Sequence, residues 1–133
     1  MFNYLKISTL LLAIIGCKVI KSDKPEPTIS LEGRYYITQI KAGDYLDSFD
    51  NKEYTCTFKD SSILAFIGCN RIGGNYKLKG SEIEIGPLFS TKMYCKEMAT
   101  QEIKLINTLE KAEEFVEKDT MILIKGSKNH ILT

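Results

Sequence analysis

Apolar and β-branched residues between Tyr36 and Leu132 come in runs too short for helices, and polar turn residues close almost every run. This spacing constrains the fold more than any other feature. Residues 36–40 are β-branched and aromatic. Residues 54–58 alternate, and Lys59-Asp60-Ser61-Ser62 returns the chain into the apolar run 63–67, a hairpin pattern. Residues 75–79 and 82–85, joined at Gly80-Ser81, make a second hairpin with strict alternation in its latter arm. Residues 113–117, the turn Lys118-Asp119-Thr120 and the apolar run 121–124 make a third. A further turn, 126–129, leads into 130–132. One segment has helical spacing: Met98, Glu102, Ile103, Ile106 and Leu109 recur near every 3.6 residues and predict a helix over 97–110, with Thr91 or Thr100 as its cap. The expected fold is α+β, a curled, largely antiparallel β-sheet of seven or eight short strands with one α-helix.

The first 30 residues have a different character. Lys6 and the apolar run 7–15 form a signal-peptide pattern, too short to span a hydrocarbon core that needs roughly 20 helical residues. The run ends in Ile14-Ile15-Gly16-Cys17, which resembles the lipobox of bacterial lipoproteins. That resemblance implies cleavage before Cys17, lipidation of its thiol, and a domain held to a membrane of the cell envelope, outside the cytoplasm. Residues 1–16 are then the leader. Residues 17–30 are polar, carry Pro25 and Pro27, and form the tether to a domain at 31–133. About 100 residues are enough for one core of their own.

Charge excludes one class of partner. The chain has 18 Lys+Arg against 17 Asp+Glu, and removing Lys6 with the leader leaves 17 against 17. All but two of the basic residues are Lys, so the guanidinium fork suited to phosphate is scarce. No run of like charge compensates, and nucleic-acid binding is not expected. Glu82 and Glu84 share one strand face. Paired catalytic carboxylates are one reading of them, and a solvated face opposite Ile83 and Ile85 is the plainer one. No phosphate-cradling loop is present, because Gly73-Gly74 lacks the Lys-Ser/Thr that such a loop requires.

The most specific stretch is Gly68-Cys69-Asn70-Arg71-Ile72-Gly73-Gly74-Asn75-Tyr76, followed by Thr91-Lys92-Met93-Tyr94-Cys95, a helix and a closing strand pair. By composition the first stretch reads as a tight loop, with Asn70 bonding its own backbone and Gly73-Gly74 supplying positive φ. The order of elements resembles the META/HslJ domain family. Gly68, Cys69, Asn70, Gly74 and Tyr76 match its first motif; Thr91, Met93 and Cys95 match its second. Two departures stand out: the chain has no Trp, so Tyr35 or Tyr36 takes the place of the family's first-strand Trp, and Ala65 stands where a Gly is usual. The resemblance implies a small bacterial envelope domain, often lipid-anchored and associated with heat or antibiotic stress, with no catalytic residues, no cofactor, and an envelope protein as partner.

With Cys17 lipidated, Cys56, Cys69 and Cys95 remain. The motif positions of Cys69 and Cys95, each beside a turn, make them the expected disulfide, and alternation leaves Cys56 as a buried strand thiol. A metal site using the cysteines and His130, or a ligand site in the 68–76 loop with Cys95, is the alternative. No metal site is expected, because the chain has no C-x-x-C pair. A thiol enzyme would need a base oriented by a third group, and the chain has one histidine.

Overall fold

The computed structural model describes residues 30–126 and the backbone of 130–132. The leader, Cys17, the tether up to residue 29, the turn residues 127–129 and the His130 side chain lie outside the described residues. Eleven strands and one helix are described: β1 Gly33–Tyr36, β2 Gln39–Ala42, β3 Tyr45–Ser48, β4 Thr55–Lys59, β5 Ser62–Phe66, β6 Arg71–Lys79, β7 Glu82–Ile85, β8 Phe89–Ser90, α1 Ala99–Glu110, β9 Ala112–Lys118, β10 Met121–Gly126 and β11 His130–Leu132.

Every described pairing is antiparallel, along the path β1-β4-β5-β6-β7-β9-β10-β11-β2-β3, with β8 on the flank of β6. This order forces the sheet to curl. In a flat sheet β1 and β2 would lie eight strand spacings apart, about 38 Å. Only Ile37 and Thr38 join them, and three Cα steps reach at most about 11 Å. The sheet must bend until its two ends meet. The long strand β6 is where its neighbours change: residues 71–75 pair with β5, and residues 76–79 pair with β7.

Alternation decides which side chains the curl encloses. Cys56 and Phe58 of β4, Ile63 and Ala65 of β5, and Ile72 and Tyr76 of β6 are buried together with Ile40, Phe115, Ile122 and Ile124. Each large aliphatic or aromatic side chain taken fully out of water contributes about 1.5–3 kcal/mol. Phe58 is the hub of the aromatic packing, with Tyr76 edge-on at 5.2 Å and Tyr35 at 6.2 Å between ring centres. Helix α1 packs against β2, β7, β10 and β11 through Leu105 and Leu109, both fully buried.

The α+β reading holds, with more strands than alternation shows. The 36–40 run is two strands, split where the buried Ile37 carries the chain from one end of the sheet to the other. Strands β3 and β8 have no legible pattern: β3 leaves Tyr45 and Leu46 exposed, and β8 is two residues long. The hairpin at 59–62 is as read, with Asp60 and Ser61 both at positive φ, as a two-residue turn matched to strand twist requires. Its register sets Cys56 opposite Ala65.

The helix begins at Ala99 rather than 97, and neither Thr91 nor Thr100 caps it. Met98 is its N-cap and makes no side-chain cap bond, Thr100 falls inside the helix, and Thr91 is engaged elsewhere. The buried face also differs from the expected one. Ile103 is exposed, whereas Leu105 and Thr108 are buried, because the face turned to the sheet runs through 98, 102, 105 and 109.

Candidate functional site

The two motif stretches meet at Asn70. After β5 the chain turns at Gly68, whose φ of +102° suits glycine, and where a Cβ would lie 3.2 Å from the Tyr54 ring. That turn brings Cys69 against Cys95, and the two are joined by a disulfide with Cα atoms 6.1 Å apart. The next residue, Asn70, has no left-handed backbone and does not bond to itself, contrary to its reading as a turn residue.

Its side chain instead spans three segments. Oδ1 accepts from the Met93 N–H at 2.7 Å and from the Thr91 hydroxyl at 2.9 Å. Nδ2 donates to the Met93 carbonyl at 3.0 Å and to Glu102 Oε2 at 2.9 Å. The Asn70 backbone N–H donates to the other carboxylate oxygen, Oε1, at 2.5 Å. Thr91 continues the lattice: its hydroxyl accepts from the Arg71 N–H, and its own N–H donates to the Arg71 carbonyl. An amide side chain can accept two and donate two hydrogen bonds, and Asn70 makes all four. Glu102, 7% exposed, uses both oxygens on Asn70.

Glu102 is the functional residue that sequence reasoning passed over. It stands among the apolar positions of the helical spacing, and an acid placed on a buried helix face must find donors there. That signal was present.

The glycine pair has a different cause from the one expected. Gly73 and Gly74 lie within β6, neither at positive φ, so the strained-loop reading is wrong. They are glycines because the chain at 87–89 crosses them closely. A Cβ on Gly73 would lie 2.5 Å from the Phe89 ring, and one on Gly74 would lie 2.7 Å from Leu88 Cδ2. Tyr76 is a core ring, and Met93 contributes its backbone to Asn70 while its side chain is exposed. Glu82 and Glu84 face solvent opposite Lys79 and Lys77, as in the plainer of their two readings.

The family model for the META domain matches residues 28–133. The chain belongs to the META domain family. Among solved structures, the domain is similar to a protein from Burkholderia xenovorans determined by NMR, at 20% identity and a TM-score of 0.62, covering 74% of this chain and 77% of that one. It is also similar to a DUF4847 family protein from Bacteroides vulgatus, at 19% identity and a TM-score of 0.48, covering 59% and 55%. At these identities the first likeness shows a shared fold. No curated protein matches.

Within this META domain the motif residues form a closed clamp. The GCN stretch, the T-x-M-x-C stretch and the first turn of α1 are bound to one another, with no hydrogen-bonding capacity left on Asn70. The disulfide occupies both motif thiols, so the 68–76 loop offers no thiolate to a metal. Among the described residues no group of three His, Cys, Asp or Glu is placed to hold a metal ion.

Cys56, the remaining described thiol, is buried, and desolvation pushes it up to about 12 from an ordinary 9.0. A thiol that stays protonated is a poor nucleophile. The folded value lies above the unfolded one, so the stability Cys56 contributes is complete below pH 9 and is lost as pH rises toward 12. In urea melts, wild-type stability should therefore fall faster across pH 9–11 than that of Cys56→Ala, by about 1.4 kcal/mol per pH unit. Equal slopes would mean that the thiol ionises in the folded protein.

Proposed function

We infer that this protein is a non-enzymatic lipoprotein of the bacterial cell envelope, whose META domain contributes to heat or antibiotic tolerance through contact with another envelope component. The observation that carries the reading is the clamp. Cys69, Asn70, Thr91, Met93 and Cys95 are spent on holding the β5–β6 turn, the 91–95 segment and α1 together, and Gly74 and Tyr76 on packing, so the domain presents a stable surface rather than a reactive centre. A disulfide at two motif positions supports an oxidising compartment. The lipobox at 14–17 supports anchoring at Cys17, where more than one acyl chain gives stable membrane attachment. No helix of the described residues is long and apolar enough to cross a membrane.

Mass spectrometry of the mature N-terminus tests the anchor. The expected species begins at Cys17 and carries acyl mass, and Cys17→Ser should abolish that mass and release the protein from the membrane fraction. A chain that starts elsewhere, or bears no acyl group, refutes the lipoprotein reading. Survival of a deletion strain under heat and envelope-directed antibiotics, with and without Cys17→Ser complementation, tests the role.

A further inference from the structure

We propose that the outward face of β1, β4, β5 and β6 is a binding groove for a small amphiphilic anion, one carrying a phosphate or carboxylate on an aromatic or aliphatic body. A concavity of about 590 Å³ lies on this face, within the size range of small-molecule sites. Its chemistry comes from two cross-strand rows fixed by register. One runs Arg34, Thr57, Leu64, Gly73; the next runs Tyr36, Thr55, Phe66, Arg71. Alternation turns all of these away from the core.

The charge of the groove is unusual for this chain. Its only two arginines, Arg34 and Arg71, both line it, together with Lys52 and a single acid, Glu53. Among the described residues neither guanidinium has an ion-pair partner, so both forks are free to take an oxyanion in the bidentate geometry that lysine cannot offer. By contrast, in a second groove of about 690 Å³ over β6 and β7, Lys77 and Lys79 face Glu84 and Glu82 in register, and Glu113 adds a further acid, so no cationic pair is left over.

The floor between the arginines joins the hydroxyls of Thr55 and Thr57 to an apolar half on β5, where an ordinary outward sheet face would be polar. On β5, Leu64 is 46% exposed and Phe66, two residues on, is half-buried, and the exposed Tyr36 continues the second row on β1, beyond the cavity's lining. The exposed Phe89 ring lies over Gly73 and extends the first row. Arg34 and Arg71 stand on strands three spacings apart, about 14 Å, with Thr55 and Thr57 of β4 and Leu64 and Phe66 of β5 between them. An anion alone would leave that apolar surface wet, and an apolar molecule alone would leave the guanidinium forks unused. A ligand carrying both satisfies both, and the concavity favours a small molecule over a flat partner. This inference does not depend on the lipid anchor.

The test is a titration of the isotope-labelled full chain with phenyl phosphate, followed by amide chemical shifts, with inorganic phosphate and benzyl alcohol as its two halves. Saturable shifts are expected at Thr55, Thr57, Leu64 and Phe66, with phenyl phosphate binding about tenfold or more tightly than either half. Arg34→Gln and Arg71→Gln should each weaken it roughly tenfold, as loss of a charge-assisted bidentate contact does. Both side chains are exposed and unpaired among the described residues, so the melting temperature should not move, and Lys77→Gln in the second groove should leave binding unchanged. Shifts spread over the lysine surface, equal binding of inorganic phosphate, or binding that survives the double arginine variant would overturn the proposal. None of these results bears on the mass of the N-terminus, so the lipoprotein reading stands or falls separately.

Discussion

Replacing Glu102 with alanine is expected to lower the stability of the domain by about 3 kcal/mol, because it strands two buried donors at once. The carboxylate accepts from the Asn70 backbone N–H and from Asn70 Nδ2, and Asn70 is itself buried. Each unsatisfied buried donor costs about 1–3 kcal/mol, and relief from burying a charged group offsets part of the sum. A loss of that size in a domain of about 100 residues lowers the melting temperature by roughly 10 °C or more. Glu102→Gln should fall between the two, since its amide keeps one acceptor but points donors at a donor. Exposed Glu97, just before the helix, is the control, and Glu97→Ala should melt like the wild type. In a double-mutant cycle Glu102→Ala and Asn70→Ala should be strongly non-additive, because each removes the other's partner. Additive losses would show that the two residues act independently, and an unchanged melt for Glu102→Ala would show that water can replace the carboxylate.

What the sequence carries about this fold divides along physical lines. Period-2 alternation and two-residue turns act locally, so the 59–62 hairpin, the Cys56–Ala65 register and the Glu82–Ile85 strand are legible from residue order alone. Strands β3 and β8 are not. β3 pairs locally with β2 across the two-residue turn at Gly43-Asp44 but leaves Tyr45 and Leu46 exposed and shows no alternation. β8, two residues long, is a strand only through its long-range pairing with β6. The split at Ile37 is likewise a demand of the closed topology, invisible to a run that is β-branched throughout.

The site divides the same way. Composition marks 68–76 as special but gives the wrong reason for it. Glycines in a turn and glycines beneath a crossing chain look alike in sequence, and only the approach of Leu88 and Phe89 distinguishes them. Asn70 is a similar case, since an asparagine favoured by tight turns is equally suited to pairing with two segments more than 20 residues away, three times with 91–93 and once with Glu102. The two arginines lie 37 positions apart in the chain and belong to unrelated motifs, so the groove they share exists only once β1, β4, β5 and β6 are in register.

Reducing the Cys69–Cys95 bond is expected to cost about as much as losing Glu102. The bridge closes a loop with a sequence separation of 26, for which chain-entropy arguments give about 3.5 kcal/mol. The loop it closes runs through β6, β7 and β8 to the threshold of α1, so the bond fixes where the helix begins relative to the β5–β6 turn. The Asn70 bonds and the two Thr91–Arg71 bonds also hold the start of the 91–95 segment, while the bridge is what ties Cys95 to the β5–β6 turn. The melting temperature of Cys69→Ala/Cys95→Ala should therefore fall by roughly 10 °C or more. Reduction of the wild type should match it. The bridge and Glu102 brace the same segment, so removing both should cost less than the two losses combined if the segment has already let go after the first. Non-reducing peptide mapping of the exported protein supplies the covalent check: a Cys69–Cys95 peptide with Cys56 unmodified until denaturant is added. A bridge to Cys56 would require the buried β4 thiol to leave the core, and finding one, or finding three free thiols, would dismantle the clamp as the feature that unites the two motifs.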